Sequence, residues 1–281
     1  MSARKPWKKI LYEQQGYADN FNGPQFLQEM KKNVTAETYE LWQAIGGSCV
    51  LMLQIDVVVL FAVIFAFVDT DVIGWQWLLA ICFTLAVLGY VVLLYLSSPA
   101  NRLDLIKDNL KTLIVFFAFG YGLSPVFRTL TETISTDTIY AMSTCMFLLS
   151  IAFHDYSVDA PIVSSSFSLN LAIFGAVCLI SRLPSSNHAF AVLTLAVQLF
   201  AQWPLVRGRL VALDSRLNAA MMFVVAGVTI AGCGALSLVA AALHILLHVF
   251  ICIVCPWWLI WMQPLKSTIH GPWDEAIIKD S

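Results

Sequence analysis

From about residue 45 the chain alternates long apolar runs with short polar breaks, and this rhythm predicts an all-α, polytopic membrane protein. About 20 residues of helix cross the hydrocarbon core of a bilayer. On that rule eight spans fall near residues 45–68, 73–96, 110–127, 138–153, 162–180, 188–206, 217–239 and 241–262. The last two share one nearly unbroken apolar run, with a tight turn expected near Ala240. Pro125 is expected to end or kink the third span, because proline removes a helical donor and restricts the residue before it. Three segments result: a basic and aromatic head over 1–43, an eight-helix membrane domain over 44–262, and a tail over 263–281.

The head has its own pattern. Phe26, Leu27, Met30 and Val34 recur at helical spacing, so an amphipathic helix is expected from Pro24 to about Trp42. Such a helix suits the membrane surface, the protein's own core, a partner or an anionic head group.

Composition agrees with the membrane reading. Charged residues make up 12% of the chain, about half the share of a soluble domain. A net charge of −2 points to no nucleic-acid partner. The placement of charge says more than its sum. With eight spans and both termini cytosolic, 14 of the 16 basic residues lie on the cytosolic side, and only Arg128 and Arg182 lie opposite. That is the positive-inside bias. The seven cysteines all fall in or beside apolar runs and read as small apolar helix residues, Cys252 and Cys255 included.

Lipid supplies no hydrophobic drive for helix association, so small residues and polar side chains must hold the spans together. Gly227, Ala231 and Ala235 offer a small-residue face on the seventh span, and Ser164, Ser168 and Asn170 a polar one on the fifth, with Asn170 expected to face the bundle. Asp56 lies midway along the first span, where a carboxylate is either functional or protonated or paired inside the bundle. His244 and His248, four residues apart on the eighth span, could bind a metal only with ligands from other spans. They read as core or interface histidines, and no metal site is assigned.

The most distinctive passage is the polar, hydroxyl-rich stretch 124–142. Thr129 and Glu132 have capping-box spacing, Arg128 and Glu132 are one helical turn apart, and Thr136 or Asp137 can cap the fourth span. The stretch reads as a capped or re-entrant connection that is structural, or as a surface for a partner or a lipid head group. After the fourth span, His154 and Asp155 could do acid–base work, although adjacent residues point apart. No glycine-rich phosphate loop, acidic metal pair for a nucleotide sugar or soluble nucleotide-binding domain is visible in the sequence.

Several polar passages resemble the PIG-C family, the C-subunit family of phosphatidylinositol N-acetylglucosaminyltransferase. They are Trp7 to Glu13, Ser124 to Met142, Ser164 to Ile173, Ser181 to Pro184 with His188 to Phe190, and Ile269 to Ala276. The resemblance covers nearly the whole chain. It implies an endoplasmic-reticulum complex that transfers N-acetylglucosamine from UDP-GlcNAc to phosphatidylinositol on the cytosolic face, starting glycosylphosphatidylinositol anchor synthesis. It further implies PIG-A as the sugar-nucleotide subunit and PIG-H, PIG-P, PIG-Q and PIG-Y as partners. The family supplies no catalytic residues to transfer.

The expected role is therefore a non-catalytic scaffold subunit without cofactor. Arg128, Glu132, Asp137, Trp273 and Asp274 are expected in structural or partner contacts, and Lys8, Lys9, His154 and Asp155 near a lipid head group. The rivals are a multi-pass enzyme acting on lipid through His154 and Asp155, and a lipid or small-solute transporter lined by Asp56 and Asn170. The internal repeats common in transporters are not apparent.

Overall fold

The computed structural model describes residues 14, 16–17, 31–32, 38–96, 102–129, 131, 133–156, 165–214, 216–266 and 269–270. Helices occupy every predicted span. They are α1 (Leu41–Asp69), α2 (Trp75–Leu96), α3 (Arg102–Thr129), α4 (Thr136–Ala152) and α5 (Ser165–Ile180). Next come α6 (Ser186–Val197), α7 (Trp203–Val211), α8 (Arg216–Leu236), α9 (Leu238–Val249) and α10 (Cys255–Met262). One-turn π segments, Gln198–Gln202 and Phe250–Val254, carry α6 into α7 and α9 into α10 without a break, so each pair forms one long rod. Six helical stretches are long and apolar enough to cross a membrane, and α4 and α5 are shorter apolar helices. The protein is an all-α polytopic membrane protein.

The chain divides into two compact units, residues 42–256 and residues 1–41 with 257–281. In the smaller unit, Lys31–Lys32 and Ile269–His270 form a two-residue antiparallel ladder. At Lys31 and Lys32 this departs from the amphipathic helix expected from Pro24 to about Trp42, since helical spacing is a weak preference that an available backbone partner can outweigh; residues 24–30 and 33–37 lie outside the described residues. The Tyr39 amide donates to Gln263 Oε1 at 3.1 Å within the same unit.

In the larger unit α1 and α6 are the central helices. Half of the apolar window of α1 is buried, against 11% for α2, which separates helices that their composition makes alike. Phe61 of α1 sits at the centre, its ring 5.7 Å from Phe147 of α4 and 5.3 Å from Phe200 of the π segment. Close approach needs small residues. Gly232 of α8 meets α1 so tightly that an added Cβ would lie 2.8 Å from Val63 Cγ1. Gly175 of α5 lies against Phe147 and Met146 of α4 in the same manner.

The α4–α5 hairpin is also fastened by paired serines. Ser150 Oγ donates to the Ser168 carbonyl at 2.9 Å, and Ser168 Oγ donates to the Ser150 carbonyl at 2.7 Å. Both serines are buried, so each hydroxyl finds a carbonyl lone pair where no water competes.

Four expectations are corrected. Asn170 is exposed on α5 rather than turned into the bundle, since Ser168 already supplies the polar contact to α4. Gly227, Ala231 and Ala235 form an exposed face of α8, and the packing surface runs through Gly232 and Cys233 instead. Pro125 does not end the third span, since it lies inside α3, which continues to Thr129. The last turn of the long apolar run falls at Ser237, whose extended backbone starts α9.

Candidate head-group cleft and the buried polar clusters

Three polar clusters interrupt the apolar interior. The first holds one end of the bundle. Ser181 and Arg182 follow α5, and Ser181 Oγ lies 2.5 Å from Thr131 Oγ1 in the turn after α3. The Arg182 guanidinium donates to the Thr131 carbonyl and, at 2.9 Å, to Thr131 Oγ1. Ser124 Oγ donates to the Ser186 carbonyl at 2.5 Å. His188 Nε2 lies 3.2 Å from the carboxylate of Asp71, a residue whose φ of 55° allows a tight turn between α1 and α2. Three connections are thereby drawn to a common end.

This cluster reassigns roles within the polar stretch. Arg128 is exposed in the last turn of α3, where a cation complements the helix dipole. Asp137 is exposed in the first turn of α4, where an anion does the same. Glu132 lies outside the described residues. The cap of α4 is Ser135, its Oγ accepting from the Thr138 amide at 3.4 Å, rather than Thr136 or Asp137. Thr129 ends a helix and its hydroxyl bonds back to Pro125 and Val126 carbonyls, so it starts no capping box. Arg182, which the sequence marks only as a lumenal charge, is the residue that ties the connection.

The second cluster lies at the opposite end of the bundle. A cleft of ≈ 220 Å³ is lined by Gln54 of α1, Ser150 of α4, His154, Ser166 and Ser168 of α5, and Pro204 of α7. His154 is in the turn after α4, with its ring 5.0 Å from Tyr156, whose hydroxyl donates to the Ile151 carbonyl at 2.7 Å. Burial, helped by the Arg207 charge and opposed by Asp155, lowers the His154 pKa to about 4, so the imidazole is neutral at neutral pH. Burial raises Tyr156 to about 12, here with the Arg207 charge opposing. Among the described residues no side chain or carbonyl meets the buried His154 Nε2. Asp155 is exposed. The cleft thus sets a few neutral hydroxyl, amide and imidazole groups among apolar walls that include Phe200 and Leu205, and the half-buried Arg207 is near enough for its charge to act on His154. Lys8, Lys9, Trp273 and Asp274 lie outside the described residues.

A third cluster escaped the sequence. Asp56, fully buried in α1, meets both histidines of α9: His244 Nε2 is 2.9 Å and His248 Nε2 3.2 Å from its carboxylate. The three donor atoms lie within 4.8 Å of one another and could hold a metal ion. Each residue was visible in the sequence, but 188 residues separate Asp56 from His244, and nothing in spacing joins them. A largely apolar groove of ≈ 360 Å³ lies elsewhere, between α2, α3 and α6, with Phe83, Phe116 and Phe117 among its walls and Gln198 and Gln202 at its polar spots.

A family model described as phosphatidylinositol N-acetylglucosaminyltransferase matches residues 7–274. The chain is 42% identical over 277 residues to the proteins of Homo sapiens and Bos taurus named as the C subunit of phosphatidylinositol N-acetylglucosaminyltransferase, covering 98% of this chain and 93% of each relative. It is 30% identical over 284 residues to the GPI2 subunit of the same enzyme from Schizosaccharomyces pombe, covering 98% of this chain and 88% of that one. No solved structure matches. With agreement over nearly its full length, the chain belongs to the GPI2 family of phosphatidylinositol N-acetylglucosaminyltransferase C subunits.

Proposed function

We propose that this chain is a non-catalytic membrane subunit of the complex that transfers N-acetylglucosamine from UDP-GlcNAc to phosphatidylinositol, the first step of glycosylphosphatidylinositol anchor synthesis. The observation that carries this reading is kinship to C subunits over 98% of the chain. The complex works in the endoplasmic-reticulum membrane, with both termini of this chain cytosolic. PIG-A supplies the sugar-nucleotide chemistry, and PIG-H, PIG-P, PIG-Q and PIG-Y complete the assembly. Arg128 and Asp137 are exposed at one end of the bundle and serve partner or structural contacts there, as Glu132, Trp273 and Asp274 do elsewhere in the chain.

The cleft around His154 adds a second duty, presentation of the lipid acceptor. Alternating spans put the α4–α5 and α7–α8 connections at one end, the cytosolic end on the charge count. There Arg207 pairs with the phosphate while neutral His154 and Ser166 accept and donate to inositol hydroxyls. Lys8 and Lys9, in the head that the charge count makes cytosolic, are further candidates for head-group contact. Of the rival readings, acid–base catalysis by His154 is disfavoured by its lowered pKa, which makes it a poor base near pH 7.

The test separates assembly from lipid handling. In cells lacking this protein, Arg207→Ala and the pair His154→Ala with Asp155→Ala are expressed, the catalytic partner is recovered, and transfer is assayed at matched complex amount. Both variants are expected to assemble, and Arg207→Ala to raise the KM for phosphatidylinositol at least about 10-fold, the worth of a charged hydrogen bond. Full assembly with no transfer at saturating lipid would place this chain in the chemistry. Unchanged KM in both variants would remove the lipid from the cleft.

A further inference from the structure

The Asp56 cluster has a donor problem that points to a ligand. His248 Nδ1 lies 3.0 Å from the backbone carbonyl of His244. A carbonyl only accepts, so Nδ1 carries the proton, and in neutral imidazole Nε2 is then left with its lone pair. That lone pair faces the Asp56 carboxylate, 3.2 Å from either oxygen. Two acceptors at that separation repel unless a cation, either a proton or a metal ion, lies between them. The carboxylate itself has no exposure and sits midway along a membrane span, where an uncompensated anion is costly.

We propose that Asp56, His244 and His248 bind a divalent metal ion of the zinc class, which joins the first span to the last. Two histidines four residues apart on one helix face present converging Nε2 atoms, and a carboxylate from a second helix completes three ligands. The rings of His244 and His248 are 4.7 Å apart and nearly perpendicular, which keeps both nitrogens on the same side. The bond from His248 Nδ1 to a backbone carbonyl is the outer contact that orients a ligating histidine and fixes its tautomer. Nitrogen and oxygen donors in this ratio suit zinc better than calcium or magnesium, which favour all-oxygen shells. Ligand atoms around tetrahedral zinc lie about 3.3 Å apart, so closing from the present spacing requires side-chain movement on the order of 1 Å. His248, 15% open, marks the side from which water completes the shell.

Cys252 lies one turn beyond His248 and packs against the cluster that contains Cys49, so a thiolate site is the nearest competitor. The experiment therefore reads metal content and donor type together. The full-length chain is purified in detergent without chelator, its zinc is counted by elemental analysis, and Co2+ is substituted for optical spectra. About one zinc per chain is expected in the wild type and in Cys252→Ser, falling at least about 10-fold in His248→Gln and Asp56→Asn. The Co2+ spectrum should show tetrahedral ligand-field bands without thiolate charge transfer. The proposal is overturned if the wild type neither carries zinc nor takes up added Zn2+ or Co2+, or if both substituted chains retain the ion. A sulfur charge-transfer band would equally overturn this ligand set. Should Asp56→Asn fail to fold, His248→Gln and the wild-type spectrum decide the matter.

Discussion

The contact between α8 and α1 makes the sharpest stability prediction, because two glycines on one helix should respond oppositely. Gly232→Ala would place a methyl group 2.8 Å from Val63 Cγ1, with Val63 Cβ at 3.9 Å. Carbon atoms are comfortable at about 3.5–4.0 Å, so the pair must separate by roughly 1 Å. Val63 cannot swing aside cheaply: it is β-branched, 6% exposed, and packed with Cys233 and Ala241. Overpacking of this kind costs about 1–3 kcal/mol. Alanine also gains up to about 1 kcal/mol over glycine within a helix, which offsets part of that cost. The net expectation for Gly232→Ala is a loss of about 1–2 kcal/mol. Gly227→Ala has nothing within 4 Å of its new methyl group and should be neutral or slightly stabilising. Thermal unfolding in detergent, followed by size-exclusion fluorescence, compares the two, and Val63→Ala closes a double-mutant cycle. Removing both γ-carbons should restore Gly232→Ala with a coupling of about 1–2 kcal/mol, within the range for residues in contact. Equal stability of the two glycine variants, or no rescue by Val63→Ala, would refute the close approach of α8 to α1.

Two further outcomes follow from the polar clusters. Arg182→Gln removes the guanidinium that serves the Thr131 carbonyl and hydroxyl, and should lower stability by about 1.5–3 kcal/mol, whereas exposed Arg128→Gln should change it by less than about 0.5 kcal/mol. Equal melting temperatures for the two variants would contradict the tie between α3 and α5. His154 should make stability pH-dependent: its folded pKa, lowered by burial and by Arg207 from 6.5 to about 4, means the unfolded chain takes up a proton that the folded chain refuses. Its contribution is fully present above pH 6.5 and is lost as pH falls towards 4, with an upper bound of about 3 kcal/mol. Melting curves at about pH 7.5 and about pH 5 should therefore converge in His154→Gln relative to the wild type, and a parallel shift in both proteins would sink the assignment.

The architecture was legible because bilayer thickness imposes a length on each apolar run. That constraint is local: every backbone group must be satisfied within its own helix. Eight apolar runs therefore became eight helical stretches, and the shortest predicted span, 138–153, is one of the two short helices, α4 and α5. Charge placement likewise follows from sequence, since Arg102, Lys107, Arg209 and Arg216 flank their helices whatever the packing.

What no reading of the sequence could reach is which faces meet. In water an apolar stripe points to the core, but lipid is as apolar as leucine, and buried and lipid-facing sides of a span look alike. Helices α1 and α2 have nearly the same apolar character, yet one is central and the other peripheral. For the same reason Gly227 and Gly232 could not be told apart, and Asn170 faces outward against expectation. His154 stood out by its polarity, whereas its burial and the nearby Arg207 charge that together lower its pKa required the tertiary fold. Asp56, His244 and His248 were each conspicuous as ionisable residues in apolar helices. Only the lateral packing of the first span against the last, a contact that no spacing encodes, brought their donor atoms together.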